Sequence, residues 1–164
     1  VTDDTLSPDD TAFLRASIRV AERSREEGRH PFGALVVDAR GEIVAEAGNN
    51  SLPPEGDPTQ HAELRAVAAA FHAVGGAEGM AGSTLFTSAE PCAMCSGAAY
   101  WTGIERVVYA LSEHSLLALT GDHPENPTFS LPCREVLSRG QRDIAVSGPH
   151  LEDEAAAAHH GFWG

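Results

Sequence analysis

Two short runs carry the chemistry this chain can do. His61-Ala62-Glu63 is followed, in the next third of the sequence, by Pro91-Cys92-Ala93-Met94-Cys95. One imidazole and two thiolates make a set of three ligands suited to a zinc ion. Three protein ligands leave a tetrahedral zinc one open position, the arrangement of a catalytic rather than a structural site. Water in that position is acidified toward neutral pH. Glu63 lies two residues from the imidazole, placed to move protons and not to bind metal. The expectation is one Zn2+ per chain with a catalytic water, held by His61, Cys92 and Cys95.

The elements that must hold these residues can be read from the surrounding pattern. Pro91 suits a helix start, so a helix is expected to begin at the cysteines and run to Thr102. Three-residue spacing then puts both sulfurs on one face, and the positive helix end favours thiolate over thiol. His61 falls near the start of a second helix, for which Thr59 is the expected cap and Gly75-Gly76 the end. Two helix starts meeting at one ion concentrate positive potential there.

An earlier helix is expected from Ser7-Pro8-Asp9-Asp10, where Ser7 caps and Pro8 fits the first turn, to Gly28. Ala34 to Val37 and Ile43 to Ala45 read as strands joined by a hairpin turn at Asp38-Ala39-Arg40-Gly41. Thr84 to Thr87, Val107 to Leu111 and Ile144 to Val146 read as further strands. Residues 49–58 and 121–132 read as loops, Arg134 to Ser138 as a short helix and Glu152 to His160 as a closing helix. Strands alternating with helices predict an α/β fold with the sheet covered on both faces. The whole chain, 1–164, reads as a single domain, with its last helix and aromatic tail at 150–164.

Composition narrows the substrate. The net charge is −13, and no Lys/Arg cluster interrupts it. Affinity for nucleic acid comes largely from basic residues displacing counterions, so a small uncharged substrate is favoured over DNA or RNA. No apolar run is long enough to span a membrane, and Val1-Thr2-Asp3-Asp4 lacks the basic and apolar regions of a signal peptide. Three cysteines do not make a disulfide framework. The metal-binding pair needs reduced thiols, which suits a reducing, cytoplasmic setting. Cys133 reads as a small buried apolar residue. A four-ligand structural site, with Cys133 or His114 added, leaves Glu63 without a role.

The pairing of H-x-E with P-C-x-x-C is the signature of zinc nucleobase deaminases. With these residues in place, the stretch from about Pro31 to Trp163 resembles the cytidine deaminase-like superfamily of zinc hydrolases. Asp57-Pro58-Thr59-Gln60 before the His-Ala-Glu run, and Gly97-Ala98 after the cysteines, are similar to its bacterial guanine deaminase and tRNA adenosine deaminase branch. The resemblance implies a three-layer α/β/α fold, a five-stranded mixed sheet flanked by helices, and a homodimer. It also implies Glu63 as the proton shuttle.

Pro31-Phe32-Gly33-Ala34 and Tyr100-Trp101 resemble guanine deaminases, where the aromatics lie by the base. Asn50 lies where that family holds the base by an asparagine, with Asn49 beside it as the other register; Ala62 belongs to the same substrate-contacting set. For Phe32 and Trp101, plain core packing is the alternative. A second acidic residue after the fourth strand touches substrate in the family, and Asp122 is the nearest match. The C-terminal third, from Gln141 to Glu154, is closer to tRNA adenosine deaminases, but the basic residues of their tail are missing. Phe162 and Trp163 are therefore expected either to close over a small base or to anchor the last helix. The expected reaction is hydrolytic deamination of a free nucleobase, guanine to xanthine and ammonia first. Cytosine, a nucleoside, a pterin or a triazine ring are the alternatives, followed by a tRNA adenosine deaminase or a non-catalytic zinc or RNA-binding module.

Overall fold

A computed structural model describes residues 5–164; Val1 to Asp4, on which the signal-peptide expectation bears, lie outside the described residues. The chain runs α1 (Pro8–Glu26), β1 (Gly33–Val37), β2 (Ile43–Gly48), α2 (Ala62–Ala73), β3 (Thr84–Ala89), α3 (Ala93–Thr102), β4 (Arg106–Leu111), α4 (Glu113–Thr120), α5 (Cys133–Leu137), β5 (Ala145–Ser147) and α6 (Glu152–Ala157). The strands form one mixed sheet in the order β2-β1-β3-β4-β5. The β1 strand is antiparallel to both its neighbours, and the β3-β4-β5 half is parallel.

Strand alternation sorts the core into two layers. Ala34, Val36, Val107 and Tyr109 turn to the face covered by α2, α3 and α5, where they meet Ala66, Val67, Ala99 and Leu137. Leu35, Val37, Val108 and Ala110 turn to the opposite face and meet Leu14 and Ile18 of α1, Leu116 of α4 and Ala155 of α6. Both faces are dry, which is why β1 and β4 read as continuous apolar runs. The approach of α1 to the sheet needs Gly33: a Cβ there would lie 2.4 Å from the Ala21 nitrogen and 2.5 Å from the Ser17 carbonyl oxygen. Ser7 closes a capping box with Asp10 at the start of α1.

Three departures from the sequence expectation bear on the site and its surroundings. Thr59 does not cap α2; its backbone and hydroxyl bond Asp57 in a turn, and His61 takes the cap position. Residues 113–120 form α4, which apolar periodicity alone left unassigned; Ser112 caps it through the Ser115 N–H. The closing helix stops at Ala157, and the chain turns through His159 to bring Trp163 back against the sheet end.

Candidate active site

The metal ligands sit at two helix starts. His61 and Cys92 are the N-cap residues of α2 and α3, and neither side chain makes a capping bond, so ring and thiol are turned elsewhere. They turn toward each other: one ligand atom each from His61, Cys92 and Cys95 lies within 4.8 Å of the others. The His61 Nδ1 is 3.6 Å from the Cys92 Sγ. All the cysteines are free. Two sulfurs and one ring nitrogen, drawn from two rigid helix starts and close enough to share one ion, fit zinc.

Electrostatics agree with that donor set. The Cys92 thiol is pushed down to about 4, first by its hydrogen bond with Cys95 and then, against the effect of burial, by the one with His61. Cys95 is pushed up by the same bond with Cys92 and by burial. His61 is raised by its bond to Cys92 in spite of burial. Negative charge thus gathers where a cation would neutralise it.

Glu63, in the first turn of α2, is 5% exposed. The Thr87 hydroxyl, at 3.2 Å from its Oε1 and 2.8 Å from the Ala89 carbonyl, lies between the carboxylate and β3. The Cys95 Sγ is 3.6 Å from its Oε2. Burial raises the Glu63 carboxyl above its ordinary range, which readies it to accept a proton.

These groups form one end of a cavity of about 560 Å³, a size usual for small-molecule sites. Phe32, Ala89, Leu116 and Phe129 supply apolar wall. His30, Asn49 and Ser51 form a polar corner: Asn49 Oδ1 accepts from the Ser51 hydroxyl at 2.7 Å, and Ser51 lies 3.3 Å from the His30 ring. Residues 124–129 form a further wall, latched where the His30 Nε2 meets Glu125 at 2.9 Å. Among the described residues the lining contains four glutamates, Glu63, Glu90, Glu113 and Glu125, and no Lys or Arg.

The structure distributes the other expected contacts unevenly. Phe32 lines the cavity beside the metal ligands. Asn50 does not: its amide bonds Gln60, and Asn49 faces the cavity instead. The reason is register, since Gly48 ends β2 opposite Gly33 and the next N–H, that of Asn49, bonds the Phe32 carbonyl. Ala62 is wholly buried in the core beneath α2. Trp101 is 83% exposed on the outside of α3, because two residues beyond buried Ala99 is about 200° round a helix. Asp122 is exposed beside the turn, and the loop delivers Glu125 to the wall in its place.

Phe162 and Trp163 pack behind the cavity, not in it. The Trp163 ring lies 5.1 Å from that of His30 and 6.2 Å from Phe32, and its Nε1–H donates to His159. Burial pushes His159 down to about 4, so it stays a neutral acceptor. Cys133 is buried and its thiol is pushed up by burial, as suits an inert core residue.

Glu90, which sequence reasoning passed over, organises the rim. It is the buried residue just before Pro91, and its two oxygens accept the Glu113 N–H at 3.0 Å and the Cys133 N–H at 2.8 Å. One carboxylate thus fixes the starts of α4 and α5 against the metal loop. A buried charged acceptor serving two amides is expected to matter by about 1.5–3 kcal/mol per bond. Glu90→Gln keeps one acceptor oxygen and loses the charge. It should lower the melting temperature by several degrees (about 2–4 °C per kcal/mol in a domain of this size) and raise KM more than it lowers kcat. Thermal denaturation and steady-state kinetics check both.

The wider likenesses agree with this geometry. Residues 7–111 match the family described as the cytidine and deoxycytidylate deaminase zinc-binding region. A protein of Schizosaccharomyces pombe named "probable cytosine deaminase" is 44% identical over 158 residues, 96% of this chain and 94% of that protein. The guanine deaminase of Bacillus subtilis is 39% identical over 110 residues, 66% of this chain and 68% of that one. Among solved structures, guanine deaminase from Nitrosomonas europaea superposes with a TM-score of 0.75 at 27% identity, covering 94% of this chain and 84% of its own. The ligand set at two helix starts, the buried glutamate beside it and these matches together place the chain in the cytidine and deoxycytidylate deaminase family of zinc-binding enzymes.

Proposed function

We propose that the protein hydrolyses the exocyclic amine of a neutral free nucleobase. The observation that carries this is the cavity lining: the His-Cys-Cys set and Glu63 at one end, aromatic and apolar walls, four glutamates and, among the described residues, no Lys or Arg. A phosphorylated substrate would meet four carboxylates and no Lys or Arg to pair with its phosphate. A flat uncharged ring meets Phe32 on its face and the Asn49 amide and Ser51 hydroxyl at its polar edge. The end-to-end likeness to a probable cytosine deaminase supports cytosine to uracil. The likeness in fold to a guanine deaminase over 94% of the chain supports guanine to xanthine as the second reading.

Bound zinc supplies the Lewis acidity that makes water nucleophilic near neutral pH. The chain supplies the rest. His61, Cys92 and Cys95 would hold the ion at the end of the cavity. Glu63 takes the proton of the attacking water and hands it to the ring nitrogen next to that carbon. The same carboxylate then takes the remaining proton from the hydroxyl just added and passes it to the amine, which leaves as ammonia while the carbonyl forms. The Thr87 hydroxyl fixes the Glu63 carboxylate for both transfers. Residues 124–129, latched by His30 and Glu125, keep bulk water from the ring. A cytoplasmic homodimer belongs to the same reading, with the bare Trp101 indole as the surface that pairing would cover.

Ammonia release from cytosine, guanine, adenine, cytidine, guanosine and dCMP by zinc-loaded enzyme is the test. Free bases are expected to turn over at least about a hundredfold faster in kcat/KM than dCMP, a difference of about 3 kcal/mol. Equal or preferred turnover of dCMP would overturn the reading.

A further inference from the structure

The polar corner of the cavity is one hydrogen-bonded chain, and the chemistry of its members fixes where the hydrogens lie. The Ser51 N–H meets the Asn49 side chain at 2.9 Å. A backbone N–H can only donate, so the atom it meets is the amide oxygen and not the amide nitrogen. The Ser51 hydroxyl lies 2.7 Å from that same oxygen and donates to it, since two acceptors so close would repel. A hydroxyl has a single hydrogen to give. Toward the His30 Nδ1, 3.3 Å away, the Ser51 oxygen can therefore only accept, and Nδ1 carries a hydrogen. The other ring nitrogen, Nε2, meets a Glu125 carboxylate oxygen at 2.9 Å and donates there. Both ring nitrogens are donors, which makes His30 an imidazolium.

The fold holds the ring in this place. His30 is buried, and its carbonyl accepts from the Ser24 hydroxyl at 2.8 Å and from the Phe32 N–H at 2.9 Å. Phe162 and Trp163 stand edge-on to the ring, at 5.8 and 5.1 Å between centroids. A buried cation persists where it is paired and its hydrogens are met; Glu125 and Ser51 do both. At the other end of the chain, both bonds from Ser51 fall on the Asn49 oxygen. The Asn49 amide nitrogen bonds nothing among the described residues. Asn49 is 3% exposed and lines the cavity, so the cavity is where the hydrogens of that nitrogen can be met.

We propose that His30 is a positioning residue for substrate recognition: through Ser51 it holds the Asn49 oxygen away from the ligand and leaves the amide N–H groups for an acceptor on the bound ring. The inference rests on the nucleobase reading above and deepens it. The ring presents a carbonyl oxygen or an unprotonated ring nitrogen to this corner, and a ring whose facing edge carries only N–H is disfavoured. Glu63 moves the proton of the reaction; His30 sets which edge of the ring the corner accepts.

The experiment compares wild type, His30→Phe, Ser51→Ala and the double variant on the preferred base, with zinc content and Tm measured for each. His30→Phe keeps a planar ring beside Phe162 and Trp163 and loses both donors. Each single variant should keep its zinc and lose about tenfold in kcat/KM, mostly in KM, the size expected for a broken charge-assisted hydrogen-bond chain. The double variant should lose no more than about threefold beyond the weaker single, because both changes cut the same chain. Losses that multiply to about a hundredfold overturn the inference, since His30 would then act elsewhere, through the wall at residues 124–129. Wild-type kinetics in either single variant overturns it too. Ring-nitrogen spectra of enzyme labelled with 15N-histidine supply a readout that packing alone would not set. At neutral pH both His30 nitrogens should appear protonated, and a bare nitrogen overturns the inference. The signal is assigned by its absence from His30→Phe, or from His30→Gln should the phenyl variant not fold. Wild type that deaminates no base of the panel above overturns the nucleobase reading, and this inference with it. Two protonated ring nitrogens in that same sample would place the failure in the reading and not in the chain.

Discussion

Glu63→Gln is expected to stop turnover and leave the rest of the site standing. The glutamine amide fits the same space in the first turn of α2 and can still accept from Thr87. It cannot take a proton from water or return one to a ring nitrogen and a departing amine. Positioned general acid–base groups contribute about 10²–10⁴ in rate, and here one carboxylate serves more than one transfer. A fall in kcat of at least about 10³ follows, with little change in KM because the cavity walls are untouched. Burial has already raised the Glu63 carboxyl, so the substitution removes a charge that the interior holds at a cost, and the melting temperature should hold or rise. Ammonia release, zinc content and thermal denaturation test the three statements separately. A variant that keeps more than about a tenth of the wild-type kcat would take the proton shuttle away from Glu63.

The metal end was legible in the sequence because chemistry constrains it locally. Zinc needs soft and borderline donors at short range, so Cys92 and Cys95 lie one helical turn apart. A carboxylate that serves the same site must sit beside the remaining ligand, so Glu63 lies two residues from His61. Each run also opens a helix: Pro91 marked the start of α3, whereas the cap expected for α2, Thr59, lies in the turn before it and His61 takes the cap position. The apolar runs of β1 and β4 were legible for a similar reason, since both their faces are buried.

The far end of the cavity was not legible, because it depends on register and on contacts distant in sequence. Asn49 and Asn50 are chemically identical, and only the β1–β2 pairing decides which one faces inward. Trp101 carries a signal that helical spacing could have exposed: it lies off the face of α3 that buries Cys95, Ser96 and Ala99. The His30–Glu125 latch joins residues on either side of the metal motif, and no local pattern connects them. Glu113 was hidden by the helix that presents it, for α4 is short and only Leu116 and Thr120 are buried along it. The tail had two expectations, closing over a base or anchoring the last helix, and Phe162 and Trp163 are not among the residues that line the cavity. Trp163 is held by stacking on His159 and by edge-on and tilted contacts with His30 and Phe32, which support the wall from outside the cavity.

Removing zinc should cost stability as well as activity, because the ion would tie together two helices that otherwise meet through packing and two long sulfur contacts, His61–Cys92 and Glu63–Cys95. His61 opens α2 and the cysteines open α3, and both helices share the core layer beneath the site. A ligand that binds the folded state at a thousandfold over its Kd stabilises it by about 4 kcal/mol. In a chain of this size that corresponds to about 8–16 °C in Tm. Chelation should therefore lower Tm by that order and bring turnover to background, and stoichiometric zinc should restore both. Cys92→Ala should reproduce the loss and resist rescue, since an imidazole and a single thiolate leave the ion with two protein ligands. Acidification should act in the same direction as chelation, because His61, Cys92 and Cys95 all have to be deprotonated to bind metal. A chelated protein that keeps both its Tm and its ammonia release would show that His61, Cys92 and Cys95 hold no ion that matters to fold or function.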